Sequence, residues 1–304
     1  MANPMRSTDF RSIVEPIMNE EFNGIYDQRK DEWSQVFKEF TGIPRNYHEE
    51  PVLYGFGAAP ELPDGTAVTY QSGGVLFLAR YIYKVYGLAF ALTKVLVEDG
   101  DHIRIGSTFS RHLAQSMVET KETLGANILN RAFNGSYTGG DGVALNVTNH
   151  PTASGTFSNL LSTAAALSQT PLEQMLIQIR NATDNNGKRI RLTPKKIVTG
   201  PSNVFQAEVL LNSALRTGTA NNDINPIKSM SLLPEGQANL SRITSTTAWW
   251  VATDAPEGLK LAKRRGLEKS MEGDFETDSM RYKSTERYVF GWTDPRGLYG
   301  TAGI

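Results

Sequence analysis

The chain has 304 residues, with 31 Lys and Arg against 32 Asp and Glu and a formal net charge of −1, so polyanions find no general attraction and nucleic-acid binding as the main task is disfavoured. The absence of cysteine excludes a disulfide scaffold, a thiolate metal site and a cysteine nucleophile. The length allows two or three compact units. No run of about 18 apolar residues is free of charge, and the opening MANPMRSTDF lacks the apolar centre of a signal peptide, so a soluble chain made in the cytoplasm is expected.

Residues 8–40 predict an amphipathic arm in two helical pieces. Phe10, Ile13, Val14 and Ile17 share one face, and Pro16 weakens the helix between them. Gly24 separates a second piece that carries Tyr26, Trp33, Val36, Phe37 and Phe40. Such stripes must be buried on the chain's own domain or on a neighbour. Residues 42–74 change character: Pro44, Pro51, Gly55, Gly57, Pro60, Pro63 and Gly65 punctuate two short strands, 52–54 and 67–70. Pro63-Asp64-Gly65 is the turn of a protruding hairpin with little core of its own. Residues 75–97 suit its return strand and then a buried strand or helix, and periodicity leaves both open. Asp99-Gly100-Asp101 turns the chain into its longest element, a helix over 107–134 with Ser107 as N-cap. Its narrow apolar seam runs through Phe109, Leu113, Met117, Leu124, Ile128 and Ala132 over roughly 40 Å, a support on which other elements lean.

From 143 to about 275 the pattern is mixed. Helices are expected over 157–168, from the capping box Thr170-Pro171-Leu172-Glu173 onward (Leu172, Met175, Leu176 and Ile179 on one face), and from Ser202 to Leu215 with Val204, Leu211 and Leu215 aligned. A turn falls at Asp184-Asn185-Asn186-Gly187 and a polar loop at 217–226. Strands are expected at 196–199 and around 230–233, 248–253 and 259–262. The end, 279–300, alternates as antiparallel strands and is expected to pair with 85–97 beneath the long helix. The order of elements reads as α+β, with no repeat of fixed period.

Motifs that carry chemistry are scarce. The Gly135–Gly142 loop follows a helix, where a dinucleotide cradle follows a strand, so it reads as a connector. The Asp184 turn lacks the glutamate that closes a calcium loop. Of the four histidines, His48, His102, His112 and His150, none belongs to an HExxH, and each is read as structural or surface. No GxSxG occurs, and Glu20-Glu21 and Glu49-Glu50 read as solvated carboxylates. No catalytic residue, cofactor or metal is predicted. Two charge blocks differ from the background. One is Lys188, Arg189, Arg191, Lys195 and Lys196; the other is Lys260, Lys263, Arg264, Arg265 and Lys269, with Glu268, Glu272, Asp274, Glu276 and Asp278 of opposite sign beside it. They suit ion pairing between subunits or a mutually screened surface.

The succession of arm, hairpin, long helix, mixed unit and final strand pair resembles the tailed-phage major capsid proteins of the Hong Kong 97 fold type, in wording closest to the Mu-like head proteins. The stretches that carry the likeness are LNRAFNGSYTGGDGVALNVTNHP (129–151), LTPKKIVTGPSNVFQAEVLLNS (192–213), NPIKSM (225–230) followed by AWWVA (248–252), and YVFGWTDPRGLYG (288–300). The resemblance implies an N-terminal arm (1–41), an extended loop (42–85), a peripheral domain (86–142 and 276–304) with spine helix 107–134, and an axial domain (143–275). It implies a non-enzymatic subunit that assembles with itself into hexamers, pentamers and a closed icosahedral head. The head encloses double-stranded DNA without reading its sequence, and the subunit has no membrane role. Separate scaffolding, portal and decoration proteins are candidate partners; the expected locations are the virion capsid and, during assembly, the host cytoplasm. Candidate interface residues are Trp33, Phe37, Tyr54, Phe56, Pro63, Asp64, Lys263, Arg264, Arg265, Glu272 and Asp274. The alternatives are an encapsulin-like nanocompartment shell and, from another class, a hydrolase with an unrecognised carboxylate site.

Overall fold

The computed structural model describes residues 7–27, 31–41, 45–93, 95–96, 102–216, 223–274 and 279–304. The turn expected at 99–101, most of the polar loop at 217–226, and Glu276 and Asp278 lie outside them, as do the side chains of Phe10 and Ile13. Helix α1 spans Ser7–Tyr26, and α2, the longest, spans His102–Asn130. Two four-stranded sheets lean on α2. The first has the order β1 (Lys38–Thr41), β10 (Leu259–Gly273), β11 (Met280–Trp292), β4 (Lys84–Leu92). The second has the order β12 (Leu298–Thr301), β9 (Trp249–Thr253), β7 (Pro194–Thr199), β8 (Gln237–Asn239). Two separate ribbons pair β2 (Tyr47–Tyr54) with β3 (Gly74–Ile82) and β5 (His150–Thr152) with β6 (Gly155–Phe157). Helices α3 (Gln169–Arg180), α4 (Val204–Asn212) and the short α5 (Pro226–Ser229) complete the second unit.

Three apolar clusters hold these layers together. Neighbouring residues of β9 point to opposite faces of the second sheet. Trp250 therefore packs with Val198, Leu298, Leu129 of α2 and Phe290 and Trp292 of the first sheet. Trp249 and Val251 face the other way, toward Leu172, Met175 and Ile179 of α3 and Ala207 and Leu210 of α4. The AWWVA run is hydrophobic throughout because this strand is covered on both sides. In the third cluster Val14, Met18 and Phe22 of α1 meet Leu113, Ala114 and Met117 of α2 and Met271 and Tyr282 of the first sheet.

The expected pairing of the C-terminal segment with 85–97 is present as β11 against β4, from Met280 opposite Leu92 to Tyr288 opposite Lys84. Several expectations are corrected. The long helix begins at His102, with Ser107 inside it and no cap. Gly106 sits where α2 packs on α1, and a Cβ there would meet the end of the Met18 side chain. Helix α1 runs unbroken through Pro16 and Gly24 because its Val14–Met18–Phe22 stripe is buried along its length. Tertiary packing here outweighs propensity. Beyond α1, the described residues among those expected to be helical form one 3-10 turn, Trp33–Gln35, and the strand β1.

Residues 158–168 contain no helix; Asn159 instead fastens the chain there, its Nδ2 donating to the carbonyls of Leu145, Pro295 and Leu298 at 2.7–3.0 Å. Helix α3 starts at Gln169 with Ser168 as N-cap, before the expected capping box, and Gln169 bonds to Glu173 (2.9 Å). Ser202 lies in a 3-10 turn ahead of α4, whose buried residues are Ala207 and Leu210, not the expected Val204, Leu211 and Leu215. No strand forms at 230–233, where the chain turns after α5. Strand β10 belongs with the first sheet and β12 with the second, so the chain crosses between the sheets after Trp292. Segments 259–273 and 298–301 thereby exchange sides relative to the expected domain limits.

Candidate assembly surface

Of the expected interface residues, Trp33 and Phe37 are corrected first. Both are buried in the chain's own core (4% and 3% exposed). Their rings meet Phe290 edge-on at 5.8 and 5.0 Å. The Glu122 carboxylate of α2 accepts the Glu32 and Trp33 amides at 2.7 and 3.0 Å, so the entry to this turn is tied to the long helix. Burial pushes the Glu122 carboxyl above its ordinary value, with those amide bonds opposing the shift. The segment read as an arm closes on its own subunit because the groove between α2 and β11 matches its aromatic residues.

The hairpin behaves oppositely. Its paired strands are longer than expected, 47–54 with 74–82, and residues 67–70 are not a strand. A bulge between Val52 and Leu53 divides it, bending and twisting the strand locally. Below the bulge, Glu49 and Arg80 pair across the outer face (2.6 Å), and Arg80 lies 4.8 Å over the Tyr47 ring. Above it, residues 55–73 are exposed throughout, including Phe56 (59%) and Tyr70 (96%). Tyr54 is half-buried and lies against Gly74. The tip is a turn in which Thr66 donates through its N–H and its hydroxyl to the Pro63 carbonyl (3.2 and 2.7 Å), with exposed Asp64 beside Gly65 at φ 77°. A Gly/Pro-rich loop has no periodic face with which to build a core, so its apolar residues stay outside.

The charge block of β10 finds much of its company within the chain. Lys263 pairs with Glu39 (3.2 Å), Arg265 with Glu268 (3.2 Å) and Thr285 (3.0 Å), and Asp274 with Arg281. Arg264 donates to the Arg45 carbonyl, and Glu272 is exposed, opposite Arg281 across the strand pair. The antiparallel register of β10 and β11 brings Glu272 and Asp274 to Arg281, while the Lys263–Glu39 pair bridges β10 to its parallel neighbour β1 and Arg265–Glu268 forms within β10. In the other block Lys188 meets Asp184 (3.5 Å) and Lys196 meets Glu235 (2.6 Å).

Two groupings escaped sequence reasoning. Phe205 on α4 (83% exposed) and Ile224 (70%) are large apolar side chains facing outward from the second unit. Phe205 lies on the side of α4 opposite its buried Ala207 and Leu210, which is visible only once the helix phase is known. The second grouping is buried. Lys121 of α2 lies 2.9 Å from Glu286 of β11 and 2.6 Å from the Tyr26 hydroxyl, which donates to Glu286 (2.7 Å). Burial drives the Tyr26 phenol far above its ordinary range, and the Glu286 carboxylate adds to that. Likewise His150 is enclosed between Asp141 (2.6 Å) and Asn159 (3.1 Å), fastening the Gly135–Gly142 connector to β5. Isolated carboxylates and histidines in a sequence do not announce such pairs. Among the described residues no group of three His, Asp or Glu is arranged to hold a metal, and no helix is long and apolar enough to cross a membrane.

Comparison with known proteins places this architecture. No curated protein matches the chain. Among solved structures it is similar to a virus-like particle from Pyrococcus furiosus (9% identity, 94% of this chain and 98% of that one, TM-score 0.53). It is also similar to the capsid of cyanophage P-SCSP1u (11% identity, 90% and 88%, TM-score 0.53) and to the mature capsid of bacteriophage PhiM1 (12% identity, 90% and 87%, TM-score 0.53). At these identities the likeness establishes the fold, a capsid fold of the Hong Kong 97 type. A family model described as phage capsid protein matches residues 81–301, from the hairpin's return strand to β12. The chain therefore belongs to the phage capsid protein family and is a subunit of a phage head shell.

Proposed function

We propose that copies of this chain assemble into hexamers and pentamers that close into the icosahedral head of a tailed phage around double-stranded DNA. The observation that carries this is the exposed apolar hairpin. Phe56, Leu62, Val68 and Tyr70 all face solvent on one loop that has no core to join in its own chain, and a neighbouring copy supplies the missing cover. The hairpin 42–85 acts as the reaching loop, α2 as the spine, and the unit carrying α3 and α4 as the part that meets around the ring axes, with Phe205 and Ile224 among its contact residues. Head-to-tail contacts of this kind close into rings when the rotation between copies allows it. The near-neutral charge suits DNA that is enclosed and not specifically bound.

The subunit is read as structural, without catalytic residues, made in the host cytoplasm and joined there by separate scaffolding, portal and decoration proteins. The family match favours a phage head over an encapsulin-like compartment, and the Mu-like kinship remains a reading of local sequence wording. Negative-stain electron microscopy with size-exclusion chromatography tests the proposal. Rings or shells of uniform diameter are expected; a species that stays monomeric at high concentration, even when co-expressed with a cognate scaffold, would overturn it.

A further inference from the structure

The root of the hairpin is joined to the body through one carboxylate. Glu50 of β2 accepts from Lys260 Nζ of β10 (2.5 Å) and from the Thr293 hydroxyl just after β11 (2.5 Å), and its other oxygen meets His48 Nε2 (3.1 Å). Thr293 in turn bonds the Tyr81 hydroxyl of β3, so both strands of the hairpin converge on this point. Tyr81 reaches it by lying flat on Gly291, where any Cβ would collide with the ring. Phe40 of β1 closes the side, 5.1 Å from the His48 ring and 5.5 Å from Lys260 Nζ. An apolar joint would hold at any pH; this one depends on a negative charge.

We propose that Glu50 is an acid-sensitive catch that fixes the tilt of the hairpin against the subunit body. The inference rests on reading the hairpin as the part that reaches a neighbouring copy. The charged groups around the catch are His48 beside it, Lys260 and Glu257 (which also pairs with Lys260) from the body, and, on the side of Tyr83, Arg264 and Arg287. Glu49 with Arg80 and Glu39 with Lys263 are pairs directed elsewhere. Protonating Glu50 removes an acceptor that two body donors share and leaves Lys260 with Glu257 alone. Burial opposes the charge on Glu50, but the hydrogen bonds from Lys260 and Thr293 outweigh it and hold the carboxyl below its ordinary value of 4.5. A depressed carboxyl stabilises the joint above that value, and the contribution is lost as pH falls through the lowered one. Leverage enlarges the effect. Ten residues of chain above Tyr54 span up to roughly 30 Å. A tilt of about 10° at the root then sweeps the tip through roughly 5 Å, enough to unseat a packed contact.

Hydrogen exchange on the full chain tests this. At neutral pH, Glu50→Gln should speed exchange of the amides of 47–50, 52 and 77–82 about tenfold while β7 and β9 keep wild-type protection. The wild type, corrected for intrinsic rates, should show the same local loosening as it is acidified from 4.5 through the depressed value of Glu50. Should Glu50→Gln fail to fold, Thr293→Val, which removes one donor and keeps the Lys260 contact, must give a smaller loosening at the same amides. Unchanged protection at the root in the substituted or the acidified chain, or loosening spread evenly over both sheets, would overturn the proposal. Failure of the wild type to form shells would count against the assembly reading and leave this exchange result standing.

Discussion

The hairpin loop and the N-terminal segment look alike as text: each scatters aromatic residues among polar ones ahead of the long helix. In space they differ completely. Residues 14–40 bury Val14, Met18, Phe22, Trp33 and Phe37 in the subunit's own clusters, whereas residues 55–73 bury nothing. The difference lies in periodicity and in the facing surface. The stripe Val14–Met18–Phe22 is spaced to lie along α2, and the 3-10 turn delivers Trp33 into a site made by Gly125 and Phe290. The hairpin's apolar residues fall between glycines and prolines with no repeating face, so no element of the same chain can cover them. Apolar residues that a chain cannot cover itself are the ones left for another copy.

The contrast can be broken or sharpened by substitution. The largest loss of subunit stability is expected for Trp33→Ala, about 3–5 kcal/mol, because a large buried side chain leaves a cavity between α2 and β11. Thermal or denaturant unfolding reads it, and a wild-type midpoint with defective assembly would return Trp33 to the interface. Lys121→Met should follow at about 3 kcal/mol by leaving the buried Glu286 carboxylate without its cation, with only the Tyr26 hydroxyl against it. The double replacement Lys121→Met with Glu286→Leu should recover most of that, which a double-mutant cycle in denaturant checks. Asp274→Asn weakens a pair whose arginine is exposed and should cost less than about 1 kcal/mol, shrinking further in high salt. Smallest of all on stability are deletion of 56–66 and Tyr70→Ser, which should move the unfolding midpoint by no more than about 0.5 kcal/mol equivalent. These two should nevertheless abolish or impair closed shells under the microscope; normal shells from the deletion would sink the role given to the loop.

Much of this protein was legible in its sequence because the relevant signals are local. The helical spacing from Leu113 to Ile128, the turn at Pro63–Thr66, the alternation in 280–292 and the AWWVA strand depend on residues close together in the chain, although the long helix stops at Asn130, short of the expected 134, and Phe109 lies exposed. The order of those segments also carried the family resemblance, which the match over 81–301 shows. The helix expected at 157–168 fails because Asn159 has partners at Leu145, Pro295 and Leu298, up to 139 residues away. What folding in three dimensions alone decided was which side of each surface faces home. It put Trp33 and Phe37 inside and Phe205 outside. It paired the β10 charges within one subunit, moved β12 into the second sheet, and gathered Glu50, Lys260 and Thr293 at the hairpin root. Each of these outcomes depends on contacts between residues far apart in the chain, whose energies no local window contains.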